Sequence, residues 1–350
     1  MSNTINIYDT RTMMAAIEKM KPARTFFRDT FFNRVETYPT EMIDVDFKKG
    51  KRKMAPFVAP RVGGITIDRQ GFITRTYTPP RVAPQRVLSK DDISKRMMGE
   101  AVYSRITPEQ RSAEILGKDL AELDETITRR EEWMCREILI NGKVVMKGLI
   151  DDISGSYIEQ EIDYNLTNKE TLTEGAKWDA ETSTKYDDLE RWRKEVIKTS
   201  GYAPNVCIMA SDVAKLFVQD TDIKSKFNMF NMMFGTIQPR IINDAVTYLG
   251  TLNGLGLEIY SYDEWFLDDA GVEQPMMPEK HLLLARVGMG KRIYGAVTQM
   301  TDAGEFATFE AERVPKIWAD MENEVKMIKV SSRPLPAPED IDDWYVAEVY

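Results

Sequence analysis

Residues 107–142 read TPEQRSAEILGKDLAELDETITRREEWMCREILING. The first four set a helix start: Thr107 as N-cap, Pro108 at the first helical position, and Gln110 placed to close a capping box. Leu116, Leu120, Leu123, Ile127, Met134 and Ile138 then recur at three, four or seven residues, which is one face of an α-helix. Asn141-Gly142 stops it. A helix from 108 to about 140 is roughly 50 Å long at 1.5 Å per residue, long for a core helix of a globular protein. Its other side carries Arg129, Arg130, Glu131 and Glu132 and reads as a solvated face.

Upstream lies a segment of different chemistry. Residues 47–86 hold ten Lys and Arg against Asp68 alone, a net +9 in a chain of net −9, so the remainder carries −18. Within it, residues 58–84 read VAPRVGGITIDRQGFITRTYTPPRVAP, two strand-like stretches around a turn near Gly71. Strand alternation puts Phe72, Thr74, Thr76 and Thr78 on one side and Ile73, Arg75 and Tyr77 on the other. Neither side suits a core, and a lone hairpin is marginal in water. A basic, projecting hairpin on an acidic body is complementary to a second copy of that body. Before it, Phe26-Phe27 and Phe31-Phe32 read as the anchor of a lead segment. Residues 1–22 read as a helical or mobile lead-in, and the N-terminus lacks the basic-then-apolar pattern of a secretory signal.

Downstream of Gly142 the pattern turns to strand over 143–146 and 156–164. A helix is expected over 187–199, a buried strand over 205–210, and a helix capped by Ser211-Asp212. Residues 257–262 are expected to form a hairpin with 282–285 through a turn near Asp268–Gly271. Strands follow over 292–300 and 324–330, and the tail opens on three alternate prolines at 334, 336 and 338. The 350 residues suffice for two or three compact regions, and no run of about 18 apolar residues predicts a membrane span.

Tests for reaction chemistry come back empty, and no catalytic, cofactor-binding or metal-ligating residue is expected. Cys135, Cys207 and the single His281 do not make up a zinc ligand set, and the two cysteines read as buried thiols in a reducing compartment. Gly288-Met289-Gly290-Lys291 fails the phosphate-loop pattern: Ala285 stands where its first glycine belongs, Arg292 follows the lysine, and a strand comes next. The carboxylate pairs Asp151-Asp152, Asp187-Asp188 and Asp342-Asp343 are sequence neighbours, a spacing that decorates loops rather than building an acid–base pair. Lys48 to Lys53 reads as a solvated or subunit-contact loop, because the acidic remainder would repel a phosphate backbone.

The order of these parts resembles the capsid protein E family of lambda-like tailed phages, major capsid proteins with the HK97-type fold. The resemblance is carried along the chain by Phe26-Phe27-Arg28 with Phe31-Phe32; Pro60 to Gly63; Thr78 to Pro84; Asn141 to Gly148; Arg292 to Gly295; Pro315 to Trp318; and Pro338 to Val346. It implies an α+β fold with an N-terminal arm over 1–45, an extended β-hairpin loop over 46–90, and a peripheral domain over 91–185 with its spine helix at 107–141. An α/β axial domain over 186–284 and a return to the peripheral domain with a C-terminal tail over 285–350 complete it.

The function implied is a shell subunit without enzymatic activity. It would assemble in the host cytoplasm into pentamers and hexamers of an icosahedral virion head. A cargo-holding compartment built on the same fold is the alternative. The implied partners are other copies of the chain, a scaffold, a portal, a decoration protein and enclosed double-stranded DNA, with no membrane and no cofactor. Arg61, Arg69, Phe72, Arg75, Tyr77 and Arg81 are the expected inter-subunit contacts. Thr107, Leu116, Leu120, Leu123, Ile127, Met134 and Ile138 mark the spine helix. The hairpin tip, Ile67 to Phe72, has no lysine, so the lysine crosslink of some HK97-type shells is not expected.

Overall fold

The computed structural model describes residues 25–47, 73–94, 107–149, 157–180, 183–221, 223, 235–241, 244–301 and 304–350. The lead-in over 1–22, the turn near Gly71 and the first of its two strands lie outside the described residues.

The long helix spans Pro108–Asn141. Its capping box is closed: the Thr107 hydroxyl accepts from the Gln110 N–H at 3.3 Å, and the Gln110 side chain accepts from the Thr107 N–H at 3.1 Å. At the other end Gly142 adopts φ +70° and donates its N–H to Ile138 O at 2.9 Å. A Cβ there would stand 2.3 Å from Leu166 Cβ, so both conformation and space require glycine. The apolar stripe serves two cores in turn. Leu116, Leu120, Leu123 and Ile127 pack with Leu88, Ile328 and Val330. Met134, Cys135, Ile138 and Leu139 enter the main core. One stripe facing two separate layers explains a helix longer than either layer needs.

The first layer is a three-stranded antiparallel sheet of Gln85–Ser89, Val325–Ser331 and Val314–Asp320, with Val325–Ser331 in the middle. The main core is built on a seven-stranded sheet in the order Lys169–Thr171, Tyr345–Glu348, His281–Ala285, Val206–Met209, Leu257–Tyr262, Val246–Leu252, Gly235–Ile241. Val206–Met209, buried throughout, sits at its centre, as expected of an uninterrupted apolar run. Helices Lys185–Thr199 and Ser211–Gln219 pack on it, and Trp178, Trp192, Phe217 and Tyr345 form an aromatic stack beside them. The C-terminal strand Tyr345–Glu348 and the short strand Lys169–Thr171 belong to this sheet, so it draws chain from both sides of residues 186–284.

Two expectations are corrected here. Leu257–Tyr262 and His281–Ala285 are not hairpin partners, because Val206–Met209 lies between them, parallel to the first and antiparallel to the second. The turn at Asp268–Gly271 instead closes a small hairpin of Trp265–Leu267 and Glu273–Pro275. There Asp268 Oδ1 accepts from the N–H groups of Ala270 and Val272. The N-cap of the following helix is Ala210, without a side-chain bond, and Ser211-Asp212 stand in its first turn, where Asp212 Oδ1 accepts from the Val213 N–H at 2.8 Å. Asp212 accepts from the Lys280 N–H at 2.9 Å and the Tyr350 hydroxyl at 2.5 Å, pinning the tail.

The alternate prolines also have a structural place. Pro334–Pro338 is a buried edge strand paired antiparallel with Gly290–Tyr294. Spacing two puts every missing N–H on one side of the strand, which an edge tolerates. The Gly288–Lys291 stretch is a turn into that neighbouring strand, with φ +69° at Gly288. Lys143–Leu149 and Tyr157–Asp163 pair antiparallel after the long helix.

Candidate subunit-contact site

The segment that leads to the basic residues begins at helix Phe27–Phe31. Five residues do not hold a helix in water, and its first N–H groups have no intrahelical acceptor. The long helix supplies one. Glu132 accepts from the N–H of Phe26 and Phe27 on Oε1 at 3.0 and 2.8 Å, and from the Arg28 N–H on Oε2 at 2.8 Å. The Tyr262 hydroxyl donates to Oε1 at 2.9 Å. Phe27, Phe31 and Phe32 are fully buried around this contact. Phe27 meets Tyr262 edge-on at 5.0 Å, and Phe32 lies so close to Gly290 that a Cβ there would approach its ring to 2.5 Å.

Beside it, Glu131 accepts from Arg313 Nη1 at 2.6 Å and from the Tyr294 hydroxyl at 3.1 Å, with Arg28 Nε at 3.4 Å. Arg313 also reaches Asp124 at 2.7 Å and Thr128 at 3.2 Å. This corrects the solvated face expected at 129–132. Arg129 is exposed and paired with Glu125, but Glu131 and Glu132 are each 1% exposed. Their partners, Arg28, Arg313 and the arm backbone, lie about a hundred residues or more away in sequence, and no spacing rule could have found them. Burial pushes the Glu132 carboxyl above the usual range, although four donors oppose the shift. Burial, and after it Glu132, pushes the Tyr262 hydroxyl far up.

From this grip the chain runs through Arg34–Thr37, parallel to Gly290–Tyr294. It then enters a two-stranded ribbon, in which Ile43–Phe47 pairs antiparallel with Ile73–Tyr77. The root of the ribbon is packed, with Ile43 1% and Tyr77 9% exposed. Tyr77 lies 5.7 Å from Tyr164, whose hydroxyl donates to Pro336 O at 2.9 Å. Gln160 Nε2 donates to Thr78 O at 3.1 Å. Tyr77, expected at a subunit contact, is therefore a residue of the chain's own core: the strand has an inward-facing residue where it meets the body. Arg81 is exposed. The Arg75 backbone pairs opposite Val45, and Arg61, Arg69 and Phe72, with the whole hairpin tip, lie outside the described residues. The spine-helix residues are helical and buried, apart from the exposed N-cap Thr107.

Among the described residues no three His, Cys, Asp or Glu side chains are grouped to hold a metal ion, and no helix is long and apolar enough to cross a membrane. His281 is half-buried with Nδ1 2.7 Å from Glu279 O. Cys135 and Cys207 are fully buried and free, and burial pushes both thiols up. What the arrangement can do is hold the two strands that flank residues 48–72 at a fixed root.

Comparison with known proteins gives that arrangement its context. The model of the family described as phage major capsid protein E matches residues 9–349. The major capsid protein of Enterobacteria phage P21 is 23% identical over 362 residues, covering 99% of this chain and 100% of that protein. The P21 prophage-derived major head protein of Escherichia coli O6:H1 matches equally. Among solved structures, the putative capsid protein of an Escherichia coli CFT073 prophage superposes with a TM-score of 0.71 at 19% identity, covering 98% of this chain and 99% of that one. A phage-related protein from Bordetella bronchiseptica RB50 gives 0.55 at 12% identity, covering 97% and 96%.

Proposed function

From a chain that belongs to the phage major capsid protein E family, we propose a shell subunit whose basic extended loop is ordered by the next copy in a ring. The protein is a major capsid protein with an α+β fold of the HK97 type, and its place is the virion capsid. Its subunits associate with one another into a multimeric shell. The finer reading is that these shells are icosahedral heads of pentamers and hexamers, assembled in the host cytoplasm. A scaffold and a portal would take part, a decoration protein would bind outside, and double-stranded DNA would be enclosed without sequence recognition. The cargo-compartment alternative is the weaker one, because the family matched over nearly the whole chain is a phage capsid family.

That full-length match is the observation that carries the reading, and the physical features support it. Among the described residues, the ribbon of Ile43–Phe47 and Ile73–Tyr77 is anchored at its root, through Ile43 and Tyr77. The +9 segment that it belongs to faces an acidic remainder on any neighbouring copy. Distinct surfaces meeting head to tail close into rings, and contacts that are each weak add up within a shell. In this scheme residues 1–45 form the arm, 46–90 the loop, and Arg61, Arg69, Phe72, Arg75 and Arg81 the loop's contacts. The residues grouped over 91–185 and 285–350 form the periphery around the spine helix, apart from strands Lys169–Thr171 and Tyr345–Glu348, which join those over 186–284 in the domain nearest the ring axis.

Electron microscopy of the protein expressed alone and with its scaffold tests this. Closed particles are expected from the natural chain. Glu at positions 61, 69, 75 and 81 is expected to leave a folded subunit that does not close. A compact monomer in solution scattering, unchanged by those four substitutions, would sink the proposal.

A further inference from the structure

The three-stranded sheet of Gln85–Ser89, Val325–Ser331 and Val314–Asp320 packs one face on the long helix, through Leu88, Ile328 and Ile317. On its other face Lys316, Trp318, Met327 and Lys329 are half-buried. The register places Trp318 opposite Met327 and Met327 opposite Val87, and in the next row Lys316 opposite Lys329 and Lys329 opposite Gln85. Directly opposed residues share a face, so Trp318, Met327 and Val87 form an apolar row flanked by cations. Val87 is 54% exposed. Lys316 and Lys329 lie 5.5 and 5.4 Å from the centre of the Trp318 ring. Burial, and after it Arg81 and Lys316, holds the Lys329 amine below its usual range. None of these three cations forms an ion pair with a carboxylate among the described residues, whereas Arg86, one position from Val87 and facing the helix, is paired with both Asp119 and Glu122. An aromatic row ringed by unpaired cations fits an apolar partner that brings carboxylates.

The same chain carries such a surface elsewhere. Residues 263–279 hold Asp263, Glu264, Asp268, Asp269, Glu273 and Glu279 and no Lys or Arg, a net −6. They include the projecting hairpin of Trp265–Leu267 and Glu273–Pro275. One face of it is spoken for: Phe266 lies under Arg136 at 5.7 Å, and Asp269 is paired with Arg130. The other face presents Trp265, Leu267 and Val272, between 53% and 66% exposed, with Glu273 across from Leu267. Glu264 and Glu273 form no ion pair among the described residues.

Resting on the shell-subunit reading, we propose that the hairpin 265–275 of one copy docks on the Trp318–Met327–Val87 face of the next, its carboxylates meeting Lys316, Lys329 and Arg81. The two surfaces are different, so the contact is heterologous and propagates around a ring. Trp265 and Trp318 are its anchors, as large aromatics are at most interfaces, and the opposed charges set its register. The contact uses Arg81 and Val87 at the C-terminal end of residues 46–90 and none of Arg61, Arg69, Phe72 and Arg75.

Zero-length carbodiimide coupling of assembled wild-type particles reads the contact directly, independent of any variant's folding. Peptides joining Lys316 or Lys329 to Glu264 or Glu273 are expected between isotopically light and heavy copies mixed before assembly. Coupling of these lysines only to carboxylates outside 263–279 overturns the docking. K316E/K329E is expected to lower particle yield about tenfold or more, and E264K/E273K in the same chain to restore it. A K316E/K329E chain that assembles like wild type overturns the docking and leaves the shell reading standing. So does one that assembles normally but binds duplex DNA less tightly, since its cations then serve phosphate. A wild-type chain that forms no closed particle overturns both.

Discussion

Replacing Glu132 tests whether the arm is held by charge as well as by grease. In Glu132→Ala, three consecutive N–H groups, of Phe26, Phe27 and Arg28, and the Tyr262 hydroxyl lose their acceptor inside the protein. Each buried donor left unpaired costs about 1–3 kcal/mol. Part of this is returned, because a carboxylate held at 1% exposure no longer has to be desolvated. The stranded donors are neutral, so no buried charge is left behind, and a net loss of about 3–5 kcal/mol is expected in urea unfolding of the unassembled subunit. Glu132→Gln keeps one oxygen for three of the four donors but sets an amide N–H₂ against the fourth, the Arg28 N–H, for a smaller loss of about 1–3 kcal/mol. The pH dependence has a definite sign. Burial raises the Glu132 carboxyl above its ordinary value of 4.5, so the folded chain binds that proton more tightly than the unfolded one. The contribution is fully present below 4.5 and is lost as pH rises through the raised value. Glutamine does not titrate there, so the margin of wild type over Glu132→Gln narrows as pH rises across that window. An alanine variant within about 0.5 kcal/mol of wild type, the range of an ordinary surface change, refutes the reasoning. So does a margin that widens with pH.

Two further outcomes follow from the same region. Arg313→Met strands Glu131 and Asp124 together, and a loss of about 3–5 kcal/mol is expected by thermal or urea unfolding. Arg313→Lys recovers little of it, since one ammonium cannot reproduce a guanidinium that reaches Asp124, Glu131 and Thr128 at once. Gly142→Ala forces a left-handed residue with a side chain against Leu166 and should cost about 2 kcal/mol or more. Circular dichroism would show the long helix intact but the subunit melting earlier.

What was legible in the sequence was local. Thr107, Pro108, Gln110 and Gly142 are read by their own neighbours, so the helix bounds could be placed from a few residues of context. The buried strand Val206–Met209 was readable from its apolar run, but its partners were not. A strand that inserts between two others some 50 to 75 residues downstream leaves no trace in periodicity, and the expected pairing of 257–262 with 282–285 failed for that reason. The prolines at 334, 336 and 338 were read only as the opening of the tail, because proline usually ends strands. Their spacing of two was the clue that an edge strand could absorb them. Tyr77 alternates with polar residues and so read as outward, yet it is the last residue before the ribbon meets Tyr164. Glu131 and Glu132 were misread most fully, because charge on a helix is normally solvated and only tertiary contact reveals a buried pair.

The misreading has a physical sense. The aromatic grip of Phe27, Phe31 and Phe32 is strong but non-directional: hydrophobic burial is indifferent to small slides along the long helix. Glu132 is not indifferent. It accepts from three successive N–H groups at 2.8–3.0 Å, and a shift of one residue would leave at least one donor and part of the carboxylate unpaired at low exposure. Buried charge is a poor source of net stability but a good device for selecting one register among several. If, as proposed, the subunit's contacts are carried on residues 46–90, that selection matters at the root. An angular error there grows with distance along the ribbon, and rings close only if every copy projects its loop in the same direction. On that argument the network at Glu131 and Glu132 fixes the direction of the arm, and the phenylalanines supply most of its hold.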